Sequence, residues 1–416
     1  MSSALLRQPS GLAVICAVEF CERFAGFLVS SLMVLYLSDQ WQLSNGSATQ
    51  AAGYWQALCY LAAIAGGWLA DRIGYRRAVL SGLCALSIGL ALLTLEQRVG
   101  IAIASVLLIV GNGLFKPSVT ALLSALYVPD DPRRSSGFGW FYLTVNLAGF
   151  AAPVVGGLLR TSFGWASAFL SATAAAMLGL LVLCVGSCFA SAQPTPIHAV
   201  KPPSKLDSHR PHQLALVGVL LALSMLGLAF SQSAGTLLIW ARDHTRRNIC
   251  SFQIPPDLFA SVPSLIVILL TPVLSAVWRW MQRHNREPSD PLKLRIGLLL
   301  MVAGYGVMAL AALISDAHPV SALWLLGGKL GLTIGEMLVL PSGLALAAIT
   351  VPSHRAGFTL GLSFAAQALG FWLGGLAGSY WDRTTPTSYF AALTTGALVA
   401  AGLCWFLVQR RESGRA

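Results

Sequence analysis

Charge is scarce in this chain of 416 residues: aspartate, glutamate, lysine and arginine make up 10% of it, against 56% hydrophobic residues. A soluble domain carries about 25% charged residues, so a soluble globular fold is excluded. All seven histidines, at 198, 209, 212, 244, 284, 318 and 354, fall outside the apolar segments. The eight cysteines (16, 21, 59, 84, 184, 188, 250 and 404) have neither disulfide nor metal-ligand spacing. Most sit within apolar segments, where free cysteine acts as a small hydrophobe. No G-x-x-x-x-G-K-S/T loop is present, which argues against direct nucleotide drive. No nucleophile–base pair or metal spacing marks an enzyme.

What is present is a series of long apolar runs. Each reaches the roughly 20 residues needed to cross about 30 Å of hydrocarbon. Twelve spans are predicted, at 11–37, 49–70, 78–96, 100–126, 136–160, 165–190, 214–240, 257–281, 293–314, 320–349, 356–381 and 385–409. The first run is too long and too charged to read as a cleavable leader. With the N-terminus in the cytoplasm, most arginines and lysines fall on the inner side: Arg7, Arg72, Arg76, Arg77, Arg133, Arg134, Lys201, Lys205, Arg210, the 279–295 set, Arg355 and the C-terminal arginines. The outer side receives only Arg98, Arg160, Arg242, Arg246, Arg247 and Arg383. Both termini are therefore expected inside, with the 242–247 cluster as the clear violation. The net charge of +11 is read as orientation in the bilayer and attraction to anionic headgroups, with no nucleic-acid partner.

Residues 191–213, SAQPTPIHAVKPPSKLDSHRPHQ, form the one long polar connection, and their composition cannot bury a core. They divide the chain into an N-terminal six-helix bundle (1–190), a cytoplasmic linker (191–213) and a C-terminal six-helix bundle (214–416). An all-α membrane protein with twelve transmembrane helices in two six-helix bundles is the major facilitator fold, whose substrate site lies at the bilayer midplane. Between spans two and three, GGWLADRIGYRR at 66–77 resembles that superfamily's cytoplasmic gating loop, with Gly67, Asp71, Arg72, Gly74, Arg76 and Arg77 in the motif positions. Glycine permits close helix packing, Asp71 can accept from backbone N–H groups at a helix end, and the arginines stay at the membrane face.

Only a few charges lie well inside the spans: Glu19, Glu22 and Arg23 in the first, Lys116 in the fourth, and Lys329 and Glu336 in the tenth. Intramembrane ionisable groups face the bundle interior and mark ion or substrate pathways. A structural salt bridge is the alternative, and both readings can hold together. Glu19, Glu22 and Arg23 stand at i, i+3 and i+4 and project from one helical face. Two acids share one base there, an arrangement able to hold and release a proton. Pro117 follows Lys116 and lacks the N–H that would bond the Gly113 carbonyl, loosening the helix beside the lysine.

These stretches resemble the proton-dependent oligopeptide transporters, a branch of the major facilitator superfamily. EFCERF at 19–24 is similar to the family's first-span motif, and Tyr54 and Tyr60 ahead of GGWLAD to its second span. GNGLFKPSV at 111–119 resembles its fourth-span lysine motif, and DPRRSSGFGWFYLTVNLA at 131–148 its fifth span. SQSAGTLLIWA at 231–241, PSLIVILLTPVLSAVW at 263–278 and LTIGEMLVLPSGLALA at 332–347 follow in the family's order.

The resemblance implies a proton-coupled symporter that imports di- or tripeptides, or a related peptide-like substrate, by alternating access. Glu19, Glu22, Arg23 and Lys116 would carry proton coupling. Arg23 and Lys116 would pair with the peptide carboxylate, and Glu336, helped by Asn146, would receive its amino terminus. Tyr54, Tyr60, Gln232 and Trp372 would line the pocket. The partners implied are the peptide, protons and the lipid bilayer. No cofactor is expected beyond the proton gradient. The protein would work as a monomer in the bacterial inner membrane.

The chain also departs from the family. Gly26 and Phe27 replace aromatic hydroxyls, Ser231 stands where a glutamate commonly precedes the glutamine, and Val262 precedes Pro263 in place of asparagine. The linker is too short for the two extra helices that many bacterial members carry. An exporter or antiporter of another small organic anion is the alternative. Lys329, seven residues before Glu336, either joins the depleted charge network or reaches out to the membrane interface.

Overall fold

The computed structural model describes residues 8–128, 131–186, 213–249, 252–315, 318–350 and 356–413. The linker other than residue 213 lies outside these residues, with Lys201, Lys205 and Arg210. Arg7, Arg355 and Arg415 also lie outside them.

The chain folds as twelve membrane-length helical segments, the architecture expected from the apolar runs. They are α1 (Ser10–Leu35), α2 (Asn45–Ile73), α3 (Tyr75–Leu93), α4 (Arg98–Ala125), α5 (Arg134–Phe163) and α6 (Trp165–Gly186). These are followed by α7 (Gln213–Ala234) with its continuation α8 (Thr236–Asp243), then α9 (Val262–Arg283), α10 (Asp290–Ile314), α11 (Ala322–Thr350), α12 (Ala356–Gly378) and α13 (Pro386–Ser413). Helix is the open-chain structure that satisfies every backbone polar group within hydrocarbon. Nine segments among the described residues are apolar and long enough by composition alone to cross a membrane. Helix α1 is not among them, because Glu19, Glu22 and Arg23 interrupt it.

Several ends differ from the spans read in sequence. Helices α2 and α5 continue past their apolar stretches at both ends. The eighth span begins later than expected, because Pro256–Ser261 forms a tight 3-10 turn ahead of α9. Gly235 breaks the seventh span into α7 and α8. Between α2 and α3 the chain reverses at Gly74, whose φ of 90° lies in a region that side chains disfavour.

Contacts divide the chain into two compact units. One comprises Met1–Leu32 with Leu58–Lys201, and the other Met33–Ala57 with Pro202–Ala416. The halves read from sequence differ from these units by the segment Met33–Ala57, whose ties explain its place. Arg242 reaches Asp39 Oδ1 at 2.6 Å and Asn45 Oδ1 at 2.9 Å, and Asp382 Oδ2 accepts from the Gly46 N–H at 2.8 Å. Gly53 also packs directly on the backbone of Gly375.

The same contacts account for the arginine cluster that broke the expected charge asymmetry. Arg242 is paired with both Asp39 and Asp243. Arg246 Nε donates to the Pro319 carbonyl at 2.7 Å, beside the short parallel pairing of β1 (Thr245–Arg246) with β4 (Val320–Ser321). The strands between them, β2 (Asn248–Ile249) and β3 (Phe252–Gln253), form a small antiparallel pair. Arg247 donates to the carbonyls of Ile254 and Arg242. These arginines are structural ties as well as charges. His244 stacks on Trp240 at 4.6 Å, and burial holds its imidazole below the usual histidine range, against the opposing pull of Asp243.

Within the first unit the closest helix approach is that of α2 and α4. Pro117 leaves the Gly113 carbonyl without its helical donor, and Gly66 packs directly on that carbonyl, so close that a Cβ would overlap it. Lipid tails supply no hydrophobic drive between helices, so small residues that let backbones meet do the work of association. In the second unit Gly370 of α12 is likewise seated on the Ser224 carbonyl of α7. The neighbouring Gly67, expected in the gating motif, meets only Pro117 at an ordinary 3.6 Å. Gly66→Ala is therefore expected to lower thermal stability in detergent by about 1–3 kcal/mol, the usual cost of overpacking. Gly67→Ala should leave stability in the same melts within about 0.5 kcal/mol of wild type, as at sites without such contacts.

Candidate substrate and proton site

In the first unit α1 presents its three charges together, as the i, i+3, i+4 spacing requires. Arg23 Nε lies 3.0 Å from Glu19 Oε1 and 2.6 Å from Glu22 Oε2. Glu19 and Glu22 are 3% and 1% exposed, so the pairs are shielded from solvent. Beyond the Arg23 contacts, Glu19 Oε2 and Glu22 Oε1 have no hydrogen-bond partner among the described residues. One guanidinium thus balances two carboxylates whose hydrogen-bonding capacity is largely open. Such a cluster has a low-energy way to change its charge, which is to bind one proton.

Lys116 stands at the Pro117 interruption of α4, with Nζ 4.5 Å from the centre of the Tyr60 ring. The lysine and Arg23 both act electrostatically on Glu19, and Arg23 on the Tyr60 phenol. Glu19, Glu22, Arg23 and Lys116, expected to carry coupling and carboxylate binding, therefore form one cluster with Tyr60, expected to line the pocket. Asn146 is buried on α5, and its Nδ2 donates to the Tyr142 carbonyl of its own helix at 2.9 Å.

The remaining residues expected at the site belong to the second unit. Tyr54 stacks on Trp372 with ring centres 6.0 Å apart and planes 10° from parallel, and its hydroxyl accepts from Gln50 Nε2 at 3.1 Å. The two tyrosines of α2 thus fall in different units. Trp372 remains 43% exposed, a broad face open to a ligand or to lipid. Glu336 and Lys329 both line a cavity with Phe230, Ser233, Pro263 and Thr333. Lys329 does not reach toward the membrane interface: it is 1% exposed and its Nζ donates to Ser233 Oγ at 2.7 Å and to the Ser233 carbonyl at 3.2 Å.

Gln232 is wholly buried, and its hydrogen bonds run to the protein. Its Nε2 donates to the Gly374 carbonyl at 2.9 Å, and its Oε1 accepts from the Tyr389 hydroxyl at 2.6 Å and from Thr236 Oγ1. Both lone pairs of that oxygen are taken, so no acceptor is left for a ligand. The amide ties α7, α12 and α13 together beside the Gly235 break. Tyr389 and Thr236 were not marked by any sequence pattern, since the contact joins residues 157 positions apart. Ser233, one residue past Gln232, was equally unmarked.

Around the reversal after α2, Asp71, Arg72, Arg76 and Arg77 are exposed. Asp71 accepts from the Tyr75 hydroxyl at 2.7 Å, in place of the backbone N–H groups expected for it, and the Arg72 guanidinium lies 3.6 Å over the Trp68 ring. Gly74 supplies the reversal itself.

Twelve apolar helices carrying a buried, ion-paired charge cluster describe a multi-pass integral membrane protein of the transporter class. The chain belongs to the Major Facilitator Superfamily, which it matches over residues 15–375. It is 26% identical to the uncharacterized transporter YclF of Bacillus subtilis, over 96% of this chain and 93% of that one. It is 28% identical to the peptide transporter YePEPT of Yersinia enterocolitica, covering 89% and 88% of the two chains. It is 26% identical to dipeptide and tripeptide permease A of Escherichia coli, covering 89% and 84%.

In fold the chain is similar to a peptide transporter POT solved in complex with sulfate, with a TM-score of 0.88 at 24% identity over 97% of this chain and 95% of that one. A POT family transporter solved in complex with 5-aminolevulinic acid gives 0.88 at 22% identity, over 97% and 96%. These likenesses bear out the resemblance to the proton-dependent oligopeptide transporters.

The Gln232 network generates a stability prediction. Gln232→Leu strands the Gly374 carbonyl and two hydroxyls in a dry interior and should lower stability by about 1–3 kcal/mol. Tyr389→Phe removes one bond only and should lower it by about 1 kcal/mol. Thermal melts of the purified variants measure both.

Proposed function

We propose that this protein is a proton-coupled symporter that imports di- or tripeptides by alternating access. The observation that carries the reading is the α1 cluster, in which Arg23 is held between two buried glutamates. A proton taken up by either carboxyl cancels one of the two attractions on Arg23 and frees the guanidinium for a substrate carboxylate. Lys116 supplies a second cation for that carboxylate, and Glu336 supplies the counter-charge for the peptide amine. The zwitterion needs both poles, and charge pairs strengthen where water is sparse. Loss of the proton restores the Arg23 pairs and expels the carboxylate. Coupling of this kind is a differential affinity for two conformations and is reciprocal between proton and substrate.

Tyr60 holds the lysine side chain by its ring face, and the stacked Tyr54 and Trp372 offer an aromatic wall for a substrate side chain. The exposed arginines around Gly74 would form the cytoplasmic gating motif. The reading places the protein in the bacterial inner membrane with both termini in the cytoplasm, acting as a monomer. It needs the proton gradient and no cofactor, and the substrate leaves chemically unchanged.

The test is transport by purified protein in liposomes loaded with a pH-sensitive dye under an inside-negative potential. Dialanine should acidify the lumen in wild type, Arg23→Ala should abolish the signal, and Glu22→Gln should lose accumulation against a gradient. Full concentrative uptake by Glu22→Gln would overturn the coupling assignment. Silence from folded wild-type protein would overturn the peptide reading and favour an exchanger of another organic anion, the alternative that the serine at position 231 already raises.

A further inference from the structure

Lys329 is the one cation in the membrane-spanning part of the second unit, among the described residues, that lines a cavity without an acidic partner. Its ammonium has three N–H donors. Ser233 takes two of its contacts, through Oγ at 2.7 Å and the main-chain carbonyl at 3.2 Å, and neither carries charge. An ammonium removed from water costs several kcal/mol unless it is paired, and intramembrane lysines that persist mark substrate or ion paths. A tether between α7 and α11 would not need the charge, since a neutral donor would hold Ser233 equally well.

The cavity shows what the charge faces. Phe230, Pro263 and Leu332 make its wall apolar, Ser233 and Thr333 add hydroxyls, and Glu336 is its only acid. Lys329 and Glu336 stand seven residues apart on α11, which is about 10.5 Å along a helix. Two turns at that spacing return nearly to the same face, and the shared cavity bears this out. One small cavity is therefore lined both by Glu336 and by a lysine with no acidic partner among the described residues.

We infer that Lys329 forms an anion subsite for the side chain of an acidic peptide whose amino group is held by Glu336. This rests on the peptide reading above and narrows it. The carboxylate that Lys329 takes is that of the side chain, so the favoured substrates are di- or tripeptides containing glutamate or aspartate. Ser233 acts as a positioning residue, fixing the ammonium through its hydroxyl and leaving one N–H for the ligand. The apolar wall excludes competing water, which sharpens discrimination by charge.

The experiment compares the isosteric peptides Ala-Glu and Ala-Gln, each measured by its competition with a labelled dipeptide for detergent-purified wild-type protein. Ala-Glu should bind about tenfold more tightly, the worth of one charge-assisted hydrogen bond after desolvation. Lys329→Met should bring the ratio close to one, and Lys329→Arg should restore part of it, a pattern that a purely structural lysine would not give. Equal binding of the two peptides by wild-type protein overturns the inference while leaving peptide transport standing. Failure of folded wild-type protein to bind the labelled dipeptide or either competitor overturns the peptide reading, and this inference with it. If Lys329→Met does not fold, the wild-type ratio alone decides.

Discussion

The fold has to keep charge in a medium that disfavours it, and the pairing of Arg23 with Glu19 and Glu22 is how the first unit does so. An isolated ion in hydrocarbon costs several kcal/mol, and a pair offsets that only when geometry is close. Here a single guanidinium serves two carboxylates, both nearly inaccessible to water. Full satisfaction of both is out of reach, and under the proposed function this imbalance is what makes the cluster responsive to a proton. A stoichiometric pair would stabilise the helix and transmit nothing. The lysine on α4, held over Tyr60, belongs to the same field, so a proton gained on α1 is felt beyond the helix that binds it.

The backbone around that field is built for close approach. Pro117 removes a helical hydrogen bond one residue from Lys116, and Gly66 occupies the freed Gly113 carbonyl. Gly66 and Gly113 let the two backbones meet, with only the small side chains of Ala62 and Pro117 beside them. In the second unit the Gly235 break is held from the side by Gln232, which joins three helices through its amide. Irregular backbone at membrane depth is tolerated where other groups satisfy it. The Gly235 carbonyl accepts from the Leu238 and Ile239 N–H groups, while the Gln232 amide satisfies the Gly374 carbonyl of α12 beside the break. Its polar character therefore serves the scaffold beside the cavity, and the cavity itself is left to Lys329 and Glu336.

Much of this was legible along the chain. The twelve spans followed from apolar length, and the α1 cluster from the i, i+3, i+4 spacing, because both are local consequences of helical geometry. The shared face of Lys329 and Glu336 followed from the same periodicity. Other features were not legible. The family resemblance put Gln232 in the pocket, yet Tyr389, from far along the chain, completes its bonding. Asp71 was expected to serve backbone N–H groups and instead meets Tyr75, four residues on. The arginines at 242–247 broke the charge rule because that rule counts loop charges without regard to their partners, and Asp39 lies some 200 residues away.

The sequence by itself determined the class of protein, the number of spans, the superfamily and the residues on which charge is buried. Each of these depends on composition or on a period of one helix, and uninterrupted apolar runs of this length cross a bilayer as helices. Tertiary structure alone decided which buried polar groups are already satisfied and which remain open. Hydrogen-bond satisfaction is a property of pairs brought together by packing, so no local pattern carries it. The difference between Gln232, closed on its neighbours, and Lys329, open to a cavity, exists only once α7, α11, α12 and α13 have assembled.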